Sequence, residues 1–264
     1  MIDHGDMDHS PLDLPLLEDD SGSEAVIEPA RVVPDVDMPE RAVLCFFGEV
    51  VAETVARHPG ARRVTALTSE AGSTPVWEVD VSGHRVAVVQ PGVGAPLAAA
   101  FLDELIAMGC RKIVACGGAG ALTPVLVLGH AIVVESAVRD EGTSYHYVPP
   151  ARLIDAEPRT VATLMKTLAD AHLAHTVGRC WSTDAFYRET RERVDRRVGE
   201  GCVAVEMEAA ALLAVARHRR VEFGQLLLAG DTLAGEHWDD RGWMSAREAR
   251  EGLFWLATEA VTAL

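Results

Sequence analysis

Carboxylates stand at two points where apolar strand sequence gives way to a helix or a loop. In the run VEMEAAALL, Glu206 and Glu208 flank Met207 at the junction between a strand and a helix. A ribose ring presents adjacent 2′ and 3′ hydroxyl groups, and one carboxylate can accept a hydrogen bond from each. The residues alone favour a simpler interpretation, in which both acids stabilise the start of the helix through its dipole.

Asp231 follows the apolar strand segment QLLLAG. A carboxyl group that is partly buried at such a position can keep its proton near neutral pH. It could then donate that proton to a purine nitrogen while a glycosidic bond breaks. The alternative interpretation is a turn aspartate whose side chain accepts from nearby backbone N–H groups.

Two glycine-rich loops follow other apolar strands. Gly92 and Gly94 belong to the first loop, and Gly117, Gly118 and Gly120 belong to the second. Glycine lets a backbone pass close to a ligand and present its N–H groups to an anion. A tight turn between strand and helix explains the same residues. Neither loop continues as a Walker motif or completes a dinucleotide fingerprint, so a dinucleotide site is not expected.

An aromatic pair, Phe186 and Tyr187, follows a strand in the segment STDAFYRET. An aromatic ring there could stack on a base, and core packing is the competing interpretation. The histidines show no metal-binding spacing, and no GxSxG elbow marks a serine nucleophile. We therefore expect neither a metal nor an organic cofactor.

The elements that must position these residues alternate along the chain. Strand-like runs begin near residues 41, 83, 111, 130, 175, 202 and 222, and the clearest helical patterns cover 96–109, 158–174 and 245–264. This alternation predicts an α/β fold, a three-layer sandwich around a central mixed, mostly parallel sheet. Ligands in such sheets bind beyond the carboxyl ends of the strands, where the glycine loops and carboxylates lie.

Composition divides the chain into an N-terminal arm and one folded domain. Residues 1–40 are rich in Asp, Glu and Pro, which predicts a largely irregular arm, either docked through Leu14, Leu16 and Leu17 or disordered. Residues 41–264 are predicted to form a single α/β domain.

The net charge of −16 argues against a nucleic-acid surface, which needs clustered Lys and Arg. No apolar run reaches the ~20 residues of a membrane helix. Five scattered cysteines and no signal-like start favour reduced thiols in the cytoplasm.

Taken together, these motifs resemble the nucleoside phosphorylase superfamily, the branch of uridine phosphorylase, hexameric purine nucleoside phosphorylase and the methylthioadenosine nucleosidases. The resemblance runs from about residue 41 to the end of the sequence. Its most specific parts are GVGAPLAAAFLDELIAMGCRKIVACGGAGAL, AVRDEGTSYHY, STDAFYRET and VEMEAAALL, in that order. Their order and spacing are most similar to uridine phosphorylase.

The resemblance implies a nucleoside as the small-molecule ligand and a homo-oligomer, a dimer or a hexamer, because family pockets commonly borrow residues across an interface. Met207 and Glu208 would hold the ribose, with Glu206 beside them. Phe186 would lie against sugar and base, and Asp231 would protonate the leaving base.

The second glycine loop and its surroundings supply the remaining predicted contacts. Ala119 and Gly120 are predicted to border the base. The candidates for contact with phosphate or another anion are Gly48, Gly118 and Arg139.

The sequence departs from the family where phosphate should bind. Phosphorolytic members use a GD-type turn after the first strand and several arginines, whereas this turn reads Phe47-Gly48-Glu49. Ala115 holds the position of one arginine, and Gly72 stands near that of the arginine supplied by a neighbouring subunit. Each missing cation removes a charge-assisted hydrogen bond of roughly 1.5–3 kcal/mol.

Three accounts of function therefore stay open. The first is cleavage of a nucleoside by phosphate as co-substrate, bound through different residues, and the motif order places it first. The second is a nucleosidase, in which Glu49 acts as the catalytic base that orients water. The third is a nucleoside-binding protein without catalysis.

Overall fold

The computed structural model describes residues 14–264, which contain ten β-strands and six α-helices. The strands are β1 (Arg41–Cys45), β2 (Arg62–Ser69), β3 (Gly72–Val81), β4 (His84–Val89), β5 (Lys112–Ala121), β6 (Ala131–Asp140), β7 (Leu153–Asp155), β8 (His175–Thr183), β9 (Cys202–Glu206) and β10 (Glu222–Thr232). The helices are α1 (Gly48–Arg57), α2 (Ala95–Met108), α3 (Pro158–Asp170), α4 (Arg191–Gly199), α5 (Ala209–Arg219) and α6 (Arg247–Ala263).

All ten strands join one mixed sheet, in the order β10-β6-β8-β9-β5-β1-β4-β3-β2 with β7 beside β6. Because β10 also pairs with β5, the strands β5, β9, β8, β6 and β10 close into a five-stranded barrel. The runs β4-β1-β5-β10 and β6-β8-β9 are parallel. The predicted mixed sheet is confirmed, and the closure of its central part into a barrel is an additional feature.

Helices cover both faces of the sheet and create two large cores, and a smaller third cluster surrounds Trp181 and includes Val194 of α4. One core lies under α2 and α5, and the other lies under α1, α3 and α6. Strand β5 contributes to both, since Ala115 enters the first core while Val114 and Cys116 enter the second. The predicted three-layer arrangement is confirmed.

The first layer is held close to the sheet by small residues. The first eight residues of α5 are all buried, and five of them are alanines. Helix α2 has Pro96 in its first turn and ends at Met108, and it is followed by Gly109, whose φ of 132° is a conformation that glycine adopts readily. The first glycine loop leads into α2, whereas the predicted second loop is wrong, because Gly117, Gly118 and Gly120 belong to strand β5 and pair in the sheet.

The described part of the N-terminal arm is irregular apart from two short 3-10 turns. Of its leucines, Leu14 and Leu17 are about half exposed, and Leu16 lies near Gly142 in the loop after β6. Ion pairs also fasten the arm, from Glu28 to Arg219 at 3.1 Å and from Asp37 to Arg85 at 2.9 Å. Residues 1–13 of the predicted arm lie outside the described residues.

All five cysteines are buried and carry free thiols. Within residues 14–264, no helix combines the length and apolar character needed to cross a membrane. The same residues contain no group of His, Cys, Asp and Glu side chains arranged to hold a metal ion.

Candidate active site

A cavity of about 670 Å³ opens where β5 and β10 meet the junction between β9 and α5. The residues predicted from sequence that line it are Gly118, Ala119, Gly120, Phe186, Glu206, Met207, Glu208 and Asp231. The structure thus brings the predicted ribose, base and proton-donor residues to one place. Pattern analysis alone did not single out several other lining residues, among them Glu189, Gln225, Trp238, Trp243 and Arg250.

Glu206 anchors the start of α5. Its carboxylate accepts hydrogen bonds from the Ser182 hydroxyl and from the backbone N–H groups of Glu208 and Ala209, the last two at 2.7 and 2.6 Å. Burial raises the pKa of Glu206, and these donors act in the opposite direction. Glu206 therefore stabilises the start of a helix, as the simpler interpretation predicted. It also fixes the backbone that carries Glu208.

Glu208 is buried, and its carboxylate reaches the first glycine loop. The backbone N–H of Gly94 donates to Glu208 Oε1 at 2.6 Å. Burial, and then the negative charge of Glu206, raise the pKa of Glu208. The N–H of Gly94 is thus engaged by a protein carboxylate, so this loop positions Glu208 instead of presenting that group to an anion.

Gly94 has φ 93° and ψ 143°, a conformation that side-chain-bearing residues rarely adopt. Open space surrounds the point where a Cβ would lie, so the cost of Gly94→Ala is backbone strain without a clash. We expect a loss of about 1–3 kcal/mol in the free energy of unfolding, measured by urea denaturation. The matched control is Gly252→Ala, at an exposed position in α6 with equally open space, where alanine should stabilise by about 1 kcal/mol. Equal effects at both positions would contradict the assignment.

The far end of the cavity holds a second pair of acids. Asp231 Oδ2 accepts a hydrogen bond from Trp238 Nε1 at 2.7 Å. Glu189 lines the same cavity and follows a short 3-10 turn at residues 186–188. Burial, and then the negative charge of Asp231, raise the pKa of Glu189 to about 7.

Phe186 and Tyr187 form an aromatic pair at the cavity mouth. Their ring centres lie 4.1 Å apart, and the two side chains are 50% and 88% exposed. Such exposure argues against the core-packing interpretation of Phe186. It leaves a ring face available for stacking on a planar ligand.

Arg139 lies outside the cavity lining, although the sequence made it an anion candidate. Its buried guanidinium donates to the Ser144 hydroxyl and to the carbonyl oxygens of Val148 and Pro149. It also stacks 4.3 Å from the ring centre of Tyr145. These contacts hold the loop after β6, so we do not carry Arg139 forward as an anion ligand.

Gly48 and Glu49 begin α1 and are also absent from the cavity lining. The side-chain amide of Gln90 occupies the space next to Gly48, where any Cβ would overlap it. The carboxylate of Glu49 pairs with Arg250 Nη2 at 2.9 Å. Glu49 is therefore placed as the charge partner of an arginine, and we do not carry it forward as a catalytic base.

Arg250 is the cationic side chain among the described residues that line the cavity. It is 6% exposed, stacks 4.5 Å from the ring centre of Phe47, and donates to the carbonyl oxygen of Met244. Sequence analysis missed it because a lone arginine in an amphipathic terminal helix carries no motif.

Gln225 is 1% exposed, yet neither its Oε1 nor its Nε2 has a hydrogen-bond partner within residues 14–264. It stands beside Ala115 across the parallel β5–β10 pair, where the small alanine side chain leaves room for the longer amide. A buried polar group left unpaired costs about 1–3 kcal/mol. An amide that faces a cavity can recover that cost from a ligand.

Comparison with known proteins shows the family and the fold of the chain. The chain belongs to the Phosphorylase superfamily, whose model matches residues 40–253. Its fold is similar to that of uridine phosphorylase from Vibrio fischeri ES114, with a TM-score of 0.74 and 24% identity over 89% of this chain and 95% of that one. A purine nucleoside phosphorylase from Toxoplasma gondii in complex with immucillin-H aligns with a TM-score of 0.71 and 17% identity over 86% of this chain and 93% of that one.

Two relatives illustrate the spread of named activities. Guanosine phosphorylase of Halorubrum lacusprofundi is 32% identical over 192 residues, covering 69% of this chain and 78% of the relative. Uridine phosphorylase of Treponema pallidum is 29% identical over 154 residues, covering 54% of this chain and 60% of the relative. The family is therefore established, while these names differ in the base.

Proposed function

We propose that this protein cleaves the N-glycosidic bond of a nucleoside. The observation that carries the proposal is that Glu208 and Asp231, distant in sequence, line one cavity together with an exposed aromatic pair. A carboxylate suits vicinal ribose hydroxyls, an aromatic face suits a base, and an acid at the base end suits a departing nitrogen. We also propose that the protein forms a homo-oligomer.

In the proposed reaction, Glu208 accepts hydrogen bonds from the ribose hydroxyls and Met207 packs beside the sugar. The bond between C1′ and the base nitrogen lengthens, so the ribose acquires positive charge. The nucleophile approaches C1′ from the face opposite the base, and the acidic pair at the base end delivers a proton to the departing base. Glu206 keeps Glu208 in position through the backbone N–H of Glu208.

Phosphorolysis stands first because the named relatives are phosphorylases. Arg250 and the backbone N–H groups of Gly118 and Ala119 are the candidates for contact with phosphate. Hydrolysis is the second candidate, and the pairing of the cavity's arginine with a carboxylate favours it. Glu189, Glu206, Glu208 and Asp231 line the cavity, while its arginine is already paired with a carboxylate.

Incubation of the full chain with a panel of nucleosides, with and without inorganic phosphate, tests the proposal. Free base with ribose 1-phosphate supports phosphorolysis, and free base with free ribose supports hydrolysis. Thermal stabilisation by nucleosides without product would indicate the third account, a binding protein. No turnover of any nucleoside would contradict the proposal.

Replacement of Gln225 tests whether the cavity floor serves a ligand. Gln225→Met has a similar shape and removes the unpaired amide, so we expect the free energy of unfolding of the free protein to rise by about 1–3 kcal/mol. Activity should fall because the amide no longer meets the bound molecule. Urea denaturation and steady-state kinetics measure the two effects. A variant that is destabilised and fully active would show that the amide has a structural partner.

A further inference from the structure

Two acids that line the base end of the cavity, Glu189 and Asp231, have different surroundings. We propose that Glu189 is the acid that protonates the departing base, and that Asp231 is the anionic neighbour that keeps it protonated. This inference rests on the proposed function and assigns a step within it. The sequence-based expectation gave the proton-donor role to Asp231 alone.

The contacts of Asp231 fix its position. Trp238 Nε1 donates a hydrogen bond to its Oδ2 at 2.7 Å. Its Oδ1 is held close to the end of β5, 3.4 Å from the point where a Cβ on Gly120 would lie. Asp231 is thus fixed at the end of β10 with one oxygen already engaged.

The carboxyl group of Glu189 has different surroundings. It lines the cavity, and within residues 14–264 it makes no hydrogen bond or ion pair through its side chain. An acid that is partly buried beside another carboxylate is more stable with its proton. Burial, followed by the charge of Asp231, accordingly raises the pKa of Glu189 to about 7. The proton needed for catalysis near neutral pH is therefore available on Glu189.

Among residues 14–264, no cation forms an ion pair with Glu189 or Asp231. Arg188 precedes Glu189 in the chain, and Arg191 at the start of α4 donates to the carbonyl oxygens of Leu233 and Gly235. The other charged groups on the cavity wall are Glu206, Glu208 and Arg250, the last paired with Glu49. The charge that acts on Glu189 is therefore that of Asp231, and it favours the protonated acid.

The chemistry points to a purine as the leaving group. Purine N7 is basic enough to accept a proton from a carboxylic acid as the glycosidic bond breaks, whereas the carbonyl oxygens of uracil are much weaker bases. The bond electrons move from C1′ onto the base, the Glu189 proton moves to N7, and Glu189 remains as a carboxylate. The nucleophile supplies the new bond to C1′. Water as nucleophile releases a proton that restores the acid over the cycle, and with phosphate the acid is reprotonated from solvent.

A pair of substrates tests the assignment. Inosine needs a proton on its base, whereas 7-methylinosine already carries a positive charge on the base and leaves without one. Glutamine matches glutamate in size and cannot transfer a proton in this way. We expect Glu189→Gln to lower kcat/KM for inosine by roughly 10²–10⁴-fold and to change kcat/KM for 7-methylinosine by a few-fold at most.

The pH profile provides a second readout. In the wild type, kcat/KM for inosine should fall as pH rises through about 7, where Glu189 loses its proton, and 7-methylinosine should lack this decline. Asp231→Asn removes the negative charge that helps to hold that proton. Its profile for inosine should therefore shift to lower pH, and part of the lost activity should return under acidic conditions.

Three results would overturn the inference. One is an equal loss for both substrates in Glu189→Gln. Another is full inosine activity in Glu189→Gln, combined with a loss at every pH in Asp231→Asn. The third is a wild-type pH profile that is the same for both substrates. If the wild type cleaves neither substrate nor any other nucleoside, the proposed function itself fails, which is a distinguishable result.

Folding is checked independently of activity. Because Glu189 is easier to bury as the neutral acid, its ionised form opposes folding above about pH 7, and Glu189→Gln should unfold at the same or a higher temperature than the wild type at pH 8. The matched control is Glu259→Gln, an exposed position on α6. It should leave both substrates unaffected.

Discussion

Glu208→Gln is expected to lower kcat/KM for a ribonucleoside by roughly 10²-fold. Glutamine can still accept the hydrogen bond from Gly94 through its carbonyl oxygen, so the loop should stay in place. Its NH₂ group cannot accept from a ribose hydroxyl, which removes one charge-assisted hydrogen bond of about 1.5–3 kcal/mol. Steady-state kinetics with a purified variant measure the loss.

A 2′-deoxynucleoside provides the control for this prediction. The wild type should prefer the ribonucleoside because Glu208 accepts from its 2′ hydroxyl, and Glu208→Gln should largely abolish that preference. If the variant loses the same factor with both sugars, Glu208 does not contact the 2′ hydroxyl. The ribose assignment would then be wrong, even though the variant is inactive.

The largest expected effect on stability is that of Glu206→Ala. This change leaves the Ser182 hydroxyl and the N–H groups of Glu208 and Ala209 without their buried acceptor. Loss of a helix-start acceptor costs about 0.5–2 kcal/mol, and buried donors left unpaired cost about 1–3 kcal/mol each. We expect the free energy of unfolding to fall by about 3–5 kcal/mol, as measured by urea denaturation.

Glu259→Ala is the matched control, since it removes an exposed carboxylate from a helix. It should change the free energy of unfolding by less than about 0.5 kcal/mol. A similarly small change in Glu206→Ala would mean that the start of α5 does not depend on this carboxylate. Glu206 would then be expected to contact the ligand directly.

The central strands could be predicted because buried parallel strands have a simple sequence pattern. β5 and β10 read as continuous apolar runs that end in glycine or polar residues, and both occur close to the predicted bounds. Strands β2 and β3 escaped prediction because they form an edge hairpin with mixed burial and charged residues such as Arg62 and Glu78. Helix α4 escaped prediction because its nine residues include only two valines, beside six charged residues and one glycine.

Barrel closure depends on contacts that are remote in sequence. The register of β10 against both β5 and β6 joins segments about 90–110 residues apart, and no local pattern encodes it. The same closure sets Gly120 opposite Val205 and brings Asp231 close to Gly120. Their positions at the ends of strands predicted that these residues lie close together. Their individual contacts could not be predicted from the sequence and are known only from the structure.

The position of a charged residue in the sequence does not determine where its side chain points. Arg139 has the right charge for an anion ligand, but its side chain turns into its own loop, where three hydrogen bonds hold it. Glu189 was not predicted, because its residue type and position in the segment STDAFYRET carry no recognisable motif. Burial and a neighbouring carboxylate, which a sequence does not display, make it chemically distinctive.

A crystal structure of the full chain with a bound purine nucleoside tests the central claim most directly. The account predicts the ribose hydroxyls within hydrogen-bonding distance of Glu208 and the base between Phe186 and the acids Glu189 and Asp231. A nucleoside bound in the reverse orientation, or at a site outside this cavity, would contradict it.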